Sequence, residues 1–139
     1  MSLVLWTFAC LAYAAPKSEA AKVRSIIDKV NNSWQTRHKP EATPFWHVAA
    51  YHTGNMEAYR LTGNKKYLDY SMAWAEHNKW RGATSNDRSK WKYNYGETPE
   101  HVLFGDWQIC FQTYLDLYNI LPDDNRIRRA REVMEYEMS

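Results

Sequence analysis

The same structural plan occurs twice in this sequence, 59 residues apart, and this repeat limits the possible folds more than any other feature. Residues 57–68, EAYRLTGNKKYL, align with residues 116–127, DLYNILPDDNRI. Each copy predicts a buried helix, a tight break, a capping residue (Asn64 or Asp123) and an amphipathic helix. Helix pairs that recur at this period are typical of α-solenoids and closed α/α toroids. The sequence therefore predicts an all-α fold.

Hydrophobic periodicity and helix-start signals extend this prediction to the rest of the chain. In the first helix, one buried stripe is expected, formed by Val23, Ile26, Ile27, Val30 and Trp34. In the second, Thr43 is the expected cap and Pro44 suits the first turn. Residues 80–98 lack periodicity and are rich in loop residues, so they predict a long connection. The five predicted helices span residues 18–34, 43–61, 65–78, 106–120 and 124–138.

Composition narrows the class of function. The net charge is only +2, and acidic and basic residues are interspersed without a basic block, which argues against a nucleic-acid partner. Aromatic residues make up 15% of the chain, with seven Trp and ten Tyr. Trp and Tyr have a flat apolar face and a polar edge, so they suit a surface that stacks on sugar rings as well as a core.

The first 15 residues predict a secretory signal peptide. An apolar run ends at Ala12-Tyr13-Ala14, which has the A-x-A pattern of a cleavage site. The run is too short to span a bilayer, and the alternative is the apolar start of a helix. We therefore expect residues 16–139 to form part of one domain of a secreted or periplasmic protein.

The segment from Trp91 to Leu117 has the composition of a carbohydrate site. An aromatic loop supplies Trp91, Asn94 and Tyr95 as candidate sugar platforms, although these side chains could instead clamp the loop. The loop delivers a lone carboxylate, Asp106, to the expected start of an apolar helix. There the helix dipole would stabilise the anion, which favours an acceptor of sugar hydroxyls over a proton donor. The alternative role of Asp106 is a plain helix cap.

Further candidate substrate contacts lie on the second and fourth helices. Tyr51, His52 and Asn55 fall within one helical turn and can face one site. The alternative for His52 is a hydrogen-bonded core histidine. Gln108 and Gln112 share one face of the fourth helix, where they would either bind sugar hydroxyls or tie helices together. No metal-ligand spacing or phosphate-cradling motif is present, so neither a metal nor a cofactor is expected.

These residues support a family resemblance. The segments FWHVAAYHTGNMEAYRLTGNKKYLDYSMAWAEHN and FGDWQICFQTYLDLY resemble the unsaturated glucuronyl and rhamnogalacturonyl hydrolases of glycoside hydrolase families 88 and 105. The resemblance covers roughly residues 46–138. It implies helical hairpins of an (α/α)₆ barrel, a six-hairpin toroid that is incomplete in this chain.

The resemblance also implies a reaction. Such enzymes remove the 4,5-unsaturated uronic acid that polysaccharide lyases leave on pectin-type oligosaccharides, by hydrating the vinyl ether double bond with an Asp as general acid/base and without a metal. Asp106 matches the family's acid that faces the sugar, and His52 falls where relatives place a pocket aromatic. The general acid/base is expected beyond Ser139, so the 139-residue fragment alone is expected to be inactive. Two alternatives remain: a helical-repeat binding module, and another α/α-barrel carbohydrate enzyme such as an epimerase or a mannosidase-like hydrolase.

Overall fold

A computed structural model describes residues 18–139, and the predicted signal peptide lies outside the described residues. Residues 18–139 form α-helices and two short 3₁₀ turns, with no strand among them. The all-α prediction is thus confirmed for this part of the chain, and the arrangement is that of a partial helical-hairpin toroid. The α-helices are α1 (Glu19–Arg37), α2 (Trp46–Thr62), α3 (Lys65–His77), α4 (Cys110–Ile120) and α5 (Asp124–Glu137).

Two central helices, α2 and α4, organise the packing. Helix α2 lies against both α3 and α4, and α4 lies against α5. The core between them includes fully buried large side chains such as Met56, Trp74, Tyr114 and Leu117. Because α2 pairs with α3 and α4 pairs with α5, the repeat predicted at residues 57–68 and 116–127 corresponds to two successive helical hairpins.

The caps at the two hairpin breaks are as predicted. The Asn64 side chain accepts a hydrogen bond from the Lys66 amide at 3.1 Å, and Asp123 accepts one from the Asn125 amide at 3.0 Å. Each satisfies one of the amide groups that a helix start leaves without a partner. Before Asn64, Gly63 takes the left-handed conformation, with φ of 69°, that commonly ends a helix.

Helix α1 differs from the prediction. Its expected stripe is not buried within residues 18–139: Val30 is 60% exposed, Ile26 and Val23 are also exposed, and Asn31 is the residue of this helix that is buried. Helix α1 makes few contacts with the rest of the described chain: it packs on a short part of α2, and its Asp28 and Asn32 side chains accept hydrogen bonds from Tyr67 and Lys66 of α3. The periodicity correctly identified an apolar face, but the described elements do not cover it.

Two helix starts were also predicted wrongly. Helix α2 begins at Trp46 rather than near Thr43, whose hydroxyl instead accepts a hydrogen bond from the Phe45 amide at 3.3 Å. Helix α4 begins at Cys110 rather than at Asp106, which lies in a 3₁₀ turn at Gly105–Trp107. The cause at the second site is the packing of Trp107, described below, which holds a tighter turn ahead of the helix.

Candidate carbohydrate site

The starts of the two central helices lie at one end of the structure. Phe45, immediately before α2, packs edge-on against Trp107, three residues before α4, with ring centroids 4.7 Å apart. The long connection between α3 and α4 covers the same end, because the Trp107 indole N–H donates to the Gly96 carbonyl at 3.0 Å. We call this end of the molecule the loop end. It is where sequence reasoning placed the sugar site.

Asp106 lies at the loop end and is half-buried. Within residues 18–139 its carboxylate has no hydrogen bond or ion pair, so both of its oxygens can accept hydrogen bonds from a ligand. Its charge is close enough to contribute, after the larger effect of Glu97, to raising the pKa of Tyr95. Because Asp106 caps no helix in this structure, the alternative of a plain helix cap is wrong, and so is the helix-dipole argument for its ionisation.

Specific packing contacts and hydrogen bonds hold the connection between α3 and α4 in one conformation. His101 is buried, its Nδ1 lies 2.6 Å from the Asn94 carbonyl oxygen, and its ring packs flat against Gly96. A Cβ atom on Gly96 would lie 2.0 Å from the His101 ring, so the close approach requires glycine here. Backbone hydrogen bonds from Lys92 to Glu100 and from Leu103 to Lys92, at 2.9 and 3.1 Å, close the loop.

This scaffold presents exposed aromatic and amide groups. Tyr95 is 66% exposed, rests edge-on against Phe104 with centroids 5.6 Å apart, and donates a hydrogen bond to Glu97 at 3.1 Å. The Asn94 side chain is exposed beside it. Both predicted platforms are therefore accessible, and their role as sugar contacts stays a prediction.

Sequence reasoning missed two other accessible aromatics at this end. Trp46 is 46% exposed at the first position of α2. Tyr93 is also exposed in the same loop as Tyr95. The signal that could have identified Trp46 is its place directly after the Thr43-Pro44 helix-start signal, since a first-turn residue often remains at the surface.

Trp91 occupies a different position from its neighbours in the loop. It is buried, its indole N–H donates to the Ser85 carbonyl at 3.1 Å, and its ring packs edge-on against Tyr136 of α5 with centroids 4.8 Å apart. The Arg129 guanidinium lies 4.9 Å from the ring centroid. The structure thus favours the alternative role of Trp91, which is to clamp the loop.

Tyr51, His52 and Asn55 are brought together, but mainly in the core. The His52 Nδ1 lies 3.0 Å from the Ser71 hydroxyl, and burial lowers the pKa of this histidine to about 3. The Asn55 amide donates to the Tyr67 carbonyl at 2.6 Å and to Ser71 at 2.8 Å. This geometry favours the core alternative for His52 and Asn55, whose polar atoms are already used within the protein.

Tyr51 is the most accessible member of this group. Its hydroxyl donates to Asn31 at 2.9 Å and accepts from Gln35 at 3.1 Å, while its ring stacks on Trp34 with centroids 4.3 Å apart. Burial raises the pKa of the Tyr51 phenol. The structure therefore ties Tyr51 to α1, and its contact with substrate stays a prediction.

The two glutamines have different environments. The Gln108 amide donates to Glu137 at 2.7 Å and to the Val102 carbonyl at 3.3 Å, so it links the loop end to the last turn of α5. Gln112 is exposed and donates to Asp116 at 3.3 Å. The linking alternative fits Gln108, whereas Gln112 has an amide oxygen exposed for other partners.

Three further properties of residues 18–139 bear on function. No group of three or more His, Cys, Asp and Glu side chains there could hold a metal ion. No helix in this part of the chain is long and apolar enough to cross a membrane. The free thiol of Cys110 is buried, and burial raises its pKa to about 12, so it is an unreactive core residue.

Comparison with known proteins identifies the family. The sequence profile of Glycosyl Hydrolase Family 88 matches residues 20–139, which is nearly all of the described chain. The chain belongs to glycosyl hydrolase family 88. The family predicted from the hairpin and from the Asp106–Tyr118 segment is thus confirmed.

Two solved structures are similar to this member of family 88. A glycosyl hydrolase family 88 protein from Bacteroides vulgatus is 57% identical with a TM-score of 0.86, and a protein named a polysaccharide lyase is 63% identical with a TM-score of 0.85. Each match covers 88% of this chain but only 35% and 34% of the respective relative. The chain thus spans about a third of the length of these relatives. Comparison with curated proteins gives no significant match.

Proposed function

We propose that the protein is a glycoside hydrolase that removes 4,5-unsaturated uronic acid from lyase-generated oligosaccharides of the pectin and rhamnogalacturonan type. The observation that carries the proposal is the half-buried Asp106 carboxylate, which has no partner within residues 18–139 and lies at the loop end of a family 88 chain. Exposed Tyr95 and Trp46 at the same end supply apolar faces for sugar rings.

In the proposed reaction, an acid protonates the vinyl ether double bond, water adds at the carbon bonded to the ring oxygen, and the resulting hemiketal opens with loss of the glycosidic link. Asp106 lies where it would face the sugar and accept hydrogen bonds from its hydroxyls, and it would also stabilise a neighbouring acid in its protonated form. That general acid/base is proposed to be an Asp outside these 139 residues, since the solved relatives are about three times as long. On this proposal the 139-residue piece alone is inactive.

One of the solved relatives is named a lyase, so the test must distinguish a lyase from the proposed hydrolase. The direction of the change in ultraviolet absorbance does so. A lyase creates a 4,5 double bond and raises ultraviolet absorbance, whereas the proposed hydration consumes the double bond and lowers it. We expect the intact protein to lower the absorbance of an unsaturated disaccharide. An increase in absorbance on intact polysaccharide, with no action on the disaccharide, would refute the proposal.

The role of Asp106 is tested in the same assay. Asp106→Asn is nearly isosteric and should reduce turnover by about a hundredfold or more, because a charge near the reacting group is removed. Asp124→Asn, at the start of α5, removes an exposed carboxylate as a matched control and should leave turnover unchanged. Equal turnover of Asp106→Asn and the parent would contradict the role.

We also propose that residues 1–15 direct export and that residues 16–139 belong to one toroid domain. N-terminal sequencing of the protein from the periplasmic or culture fraction should begin at Ala15 or Pro16. Recovery of the intact N-terminus from the cytoplasmic fraction alone would contradict export.

A further inference from the structure

A recess whose lining does not include Asp106 lies where the chain that leaves α3 crosses the first half of α5. Its volume is about 440 Å³, within the range of small-molecule sites. Polar atoms dominate its surface, and its walls belong to α5 and to the segment 79–88. The lining residues are Lys79, Trp80, Arg81, Asn86, Arg88, Asn125, Arg128, Arg129 and Glu132.

The charge in this recess is strongly unbalanced. Five of the lining residues are cationic, and Glu132 is the single anionic one. Glu132 is already engaged by Arg129 at 2.6 Å and by Arg88 at 3.2 Å. Lys79 and Arg128 are both exposed, and neither forms an ion pair within residues 18–139. Two of the cations can therefore be offered to a ligand without breaking a contact.

Two arginines are held rigidly in the walls. Arg129 is 95% buried, and one of its terminal nitrogens donates to the Ala83 and Ser85 carbonyls at 3.1 and 2.7 Å. Arg81 donates to the Thr84 carbonyl at 2.8 Å and to the Asn86 side chain at 2.5 Å. The Nε groups of Arg81 and Arg129 are both buried without an acceptor in the described structure. The charges of Arg81 and Arg129 are thus fixed in the walls of the recess, where they favour an anion.

The pKa of Arg81 reflects the same excess of positive charge in the recess. Burial lowers the pKa of Arg81, and the nearby charges of Arg129 and Arg128 lower it further against the opposing effect of Glu132. An anion in the recess would relieve this repulsion.

The backbone at the edge of the recess is also unusual. Lys79 and Trp80 follow α3 with φ of 52° and 59°, in the left-handed region that glycine normally occupies. Such residues cost roughly 1 kcal/mol or more each and concentrate at functional sites. This turn directs the chain from α3 towards α5 and buries Trp80, over which the Arg126 guanidinium lies at 5.0 Å.

We propose that this recess binds a carboxylate-bearing sugar unit of an acidic glycan, at a site separate from Asp106. Its cations would hold the carboxylate, and the amide groups of Asn86 and Asn125 would face the hydroxyls. The choice of a sugar rests on the proposed function, whereas the anionic character rests on the recess alone. The burial of Trp80 argues against a single-stranded nucleic acid, whose bases stack on exposed aromatic side chains.

The position of the recess makes it an accessory site. Glu137, at the end of α5, accepts the hydrogen bond from Gln108 at the loop end. Arg128 lies nine residues earlier, which places it about 13 Å back along the helix axis at 1.5 Å per residue. An acidic glycan held here would be retained while another part of it is processed at the loop end.

The test is calorimetric titration of the intact protein with trigalacturonate. This probe is saturated, so it contains no double bond for the proposed reaction to consume. The double variant Lys79→Gln with Arg128→Gln should weaken binding about tenfold or more, because two charge-assisted hydrogen bonds are lost. The matched control, Arg24→Gln with Lys65→Gln, removes two exposed cations elsewhere and should bind like the parent. Equal affinity of the parent and the recess variant would overturn the proposal.

Two further measurements locate and identify the ligand. Trigalacturonate should slow chemical acetylation of Lys79 but not of Lys65. Inorganic phosphate at equal concentration should protect Lys79 much less, and neutral galactotriose should not protect it. If phosphate protects Lys79 and trigalacturonate does not, the glycan assignment is wrong.

A turnover assay distinguishes failure of the proposed hydrolysis from failure of the recess proposal. The recess variant should turn over an unsaturated disaccharide at the parent's rate, since neither Lys79 nor Arg128 is among the loop-end residues and both line the recess instead. If the parent itself has no turnover, the proposed hydrolysis fails, and trigalacturonate binding still decides the recess.

Discussion

The imidazole of His52 lies parallel to the indole of Trp74, with ring centroids 4.0 Å apart and the planes inclined by 11°. The two residues belong to α2 and α3, so the stack joins the members of one hairpin. Tyr70 stacks on the same imidazole at 5.5 Å. The ring is enclosed by apolar faces, with one polar contact to Ser71, and this enclosure disfavours its cation.

This enclosure predicts that stability falls as pH is lowered. His52 has a pKa of about 3 in the folded state and an ordinary value near 6.5 when unfolded. The unfolded chain therefore binds the extra proton between these values, and the free energy of unfolding should decrease as pH falls from 7 to 4. Between pH 7 and pH 4 the contribution of His52 to this decrease is at most on the order of 3 kcal/mol.

Urea denaturation of the parent and His52→Phe checks this prediction. Phenylalanine keeps the stack but cannot titrate, so the variant should lose less stability between pH 7 and pH 4. His77→Gln removes an exposed histidine and should retain the parent's pH dependence. Identical slopes for the parent and His52→Phe would contradict the prediction.

A second prediction concerns the contact between Gly82 and Trp107. A Cβ atom on Gly82 would lie 1.9 Å from the Trp107 carbonyl oxygen and 3.0 Å from its carbon. Gly82→Ala should therefore displace the turn that carries Asp106 and reduce the free energy of unfolding by about 2 kcal/mol. Thermal or urea unfolding measures the change, and turnover should fall with it.

Gly105→Ala provides the control for Gly82, because no atom lies within 4 Å of its added Cβ. It should change the free energy of unfolding by less than about 0.5 kcal/mol. Equal destabilisation by the two substitutions would show that the backbone contact with Trp107 is not the cause.

A third prediction separates sugar contacts from structural aromatics at the loop end. Trp46→Ala and Tyr95→Ala should each raise KM for an unsaturated oligosaccharide about fivefold, which corresponds to the loss of roughly 1 kcal/mol of stacking. Neither residue is buried, so the unfolding free energy should change little. Leu121→Ala, an exposed apolar change at the far end of α4, should leave KM unaltered. An unchanged KM in both aromatic variants would remove them from the site.

A fourth prediction concerns an ion pair between the central helices. Arg60 of α2 lies 2.5 Å from the Asp116 carboxylate of α4, whose other oxygen is buried without a partner in residues 18–139. Arg60→Met would leave this carboxylate supported mainly by Gln112. Since Arg60 is itself 43% exposed, solvent screening limits the expected loss to about 1–2 kcal/mol.

The double variant Arg60→Met with Asp116→Asn should regain most of this loss, because it removes the charge left without a partner. Chemical denaturation of the two single variants and the double variant forms the cycle that isolates the interaction. Additive losses would indicate that the pair contributes no coupling.

The features that sequence reasoning predicted well are local ones. Asn64 and Asp123 act as caps because a short polar side chain before a helix finds its amide partners within the next few residues. The α1 stripe could not be judged in this way, because burial depends on which neighbours arrive. Its apolar face was recognised, but Val30 remains exposed.

In the candidate site, too, local features were predictable and contacts with distant residues were not. The position of Asp106 at the loop end was predictable from its place after an irregular aromatic segment. Its 3₁₀ conformation was not, because it depends on Trp107 packing against Phe45, 62 positions earlier in the sequence. His52, chosen from its helical neighbours and from the family resemblance, stacks on Trp74 instead, and no local pattern specifies that partner.

The unequal connections have a consequence for how such a protein can be altered. The breaks at Gly63 and Asp123 are short and fixed by caps, whereas the segment from Asn78 to Ile109 is long and closes on its own hydrogen bonds through His101 and Gly96. Changes to its outermost residues, such as Tyr93 and Asn94, need not disturb either hairpin. The exposed tip of this segment can thus be redesigned, and a library confined to Tyr93, Asn94 and Tyr95 would search for new sugar preferences on an unchanged frame.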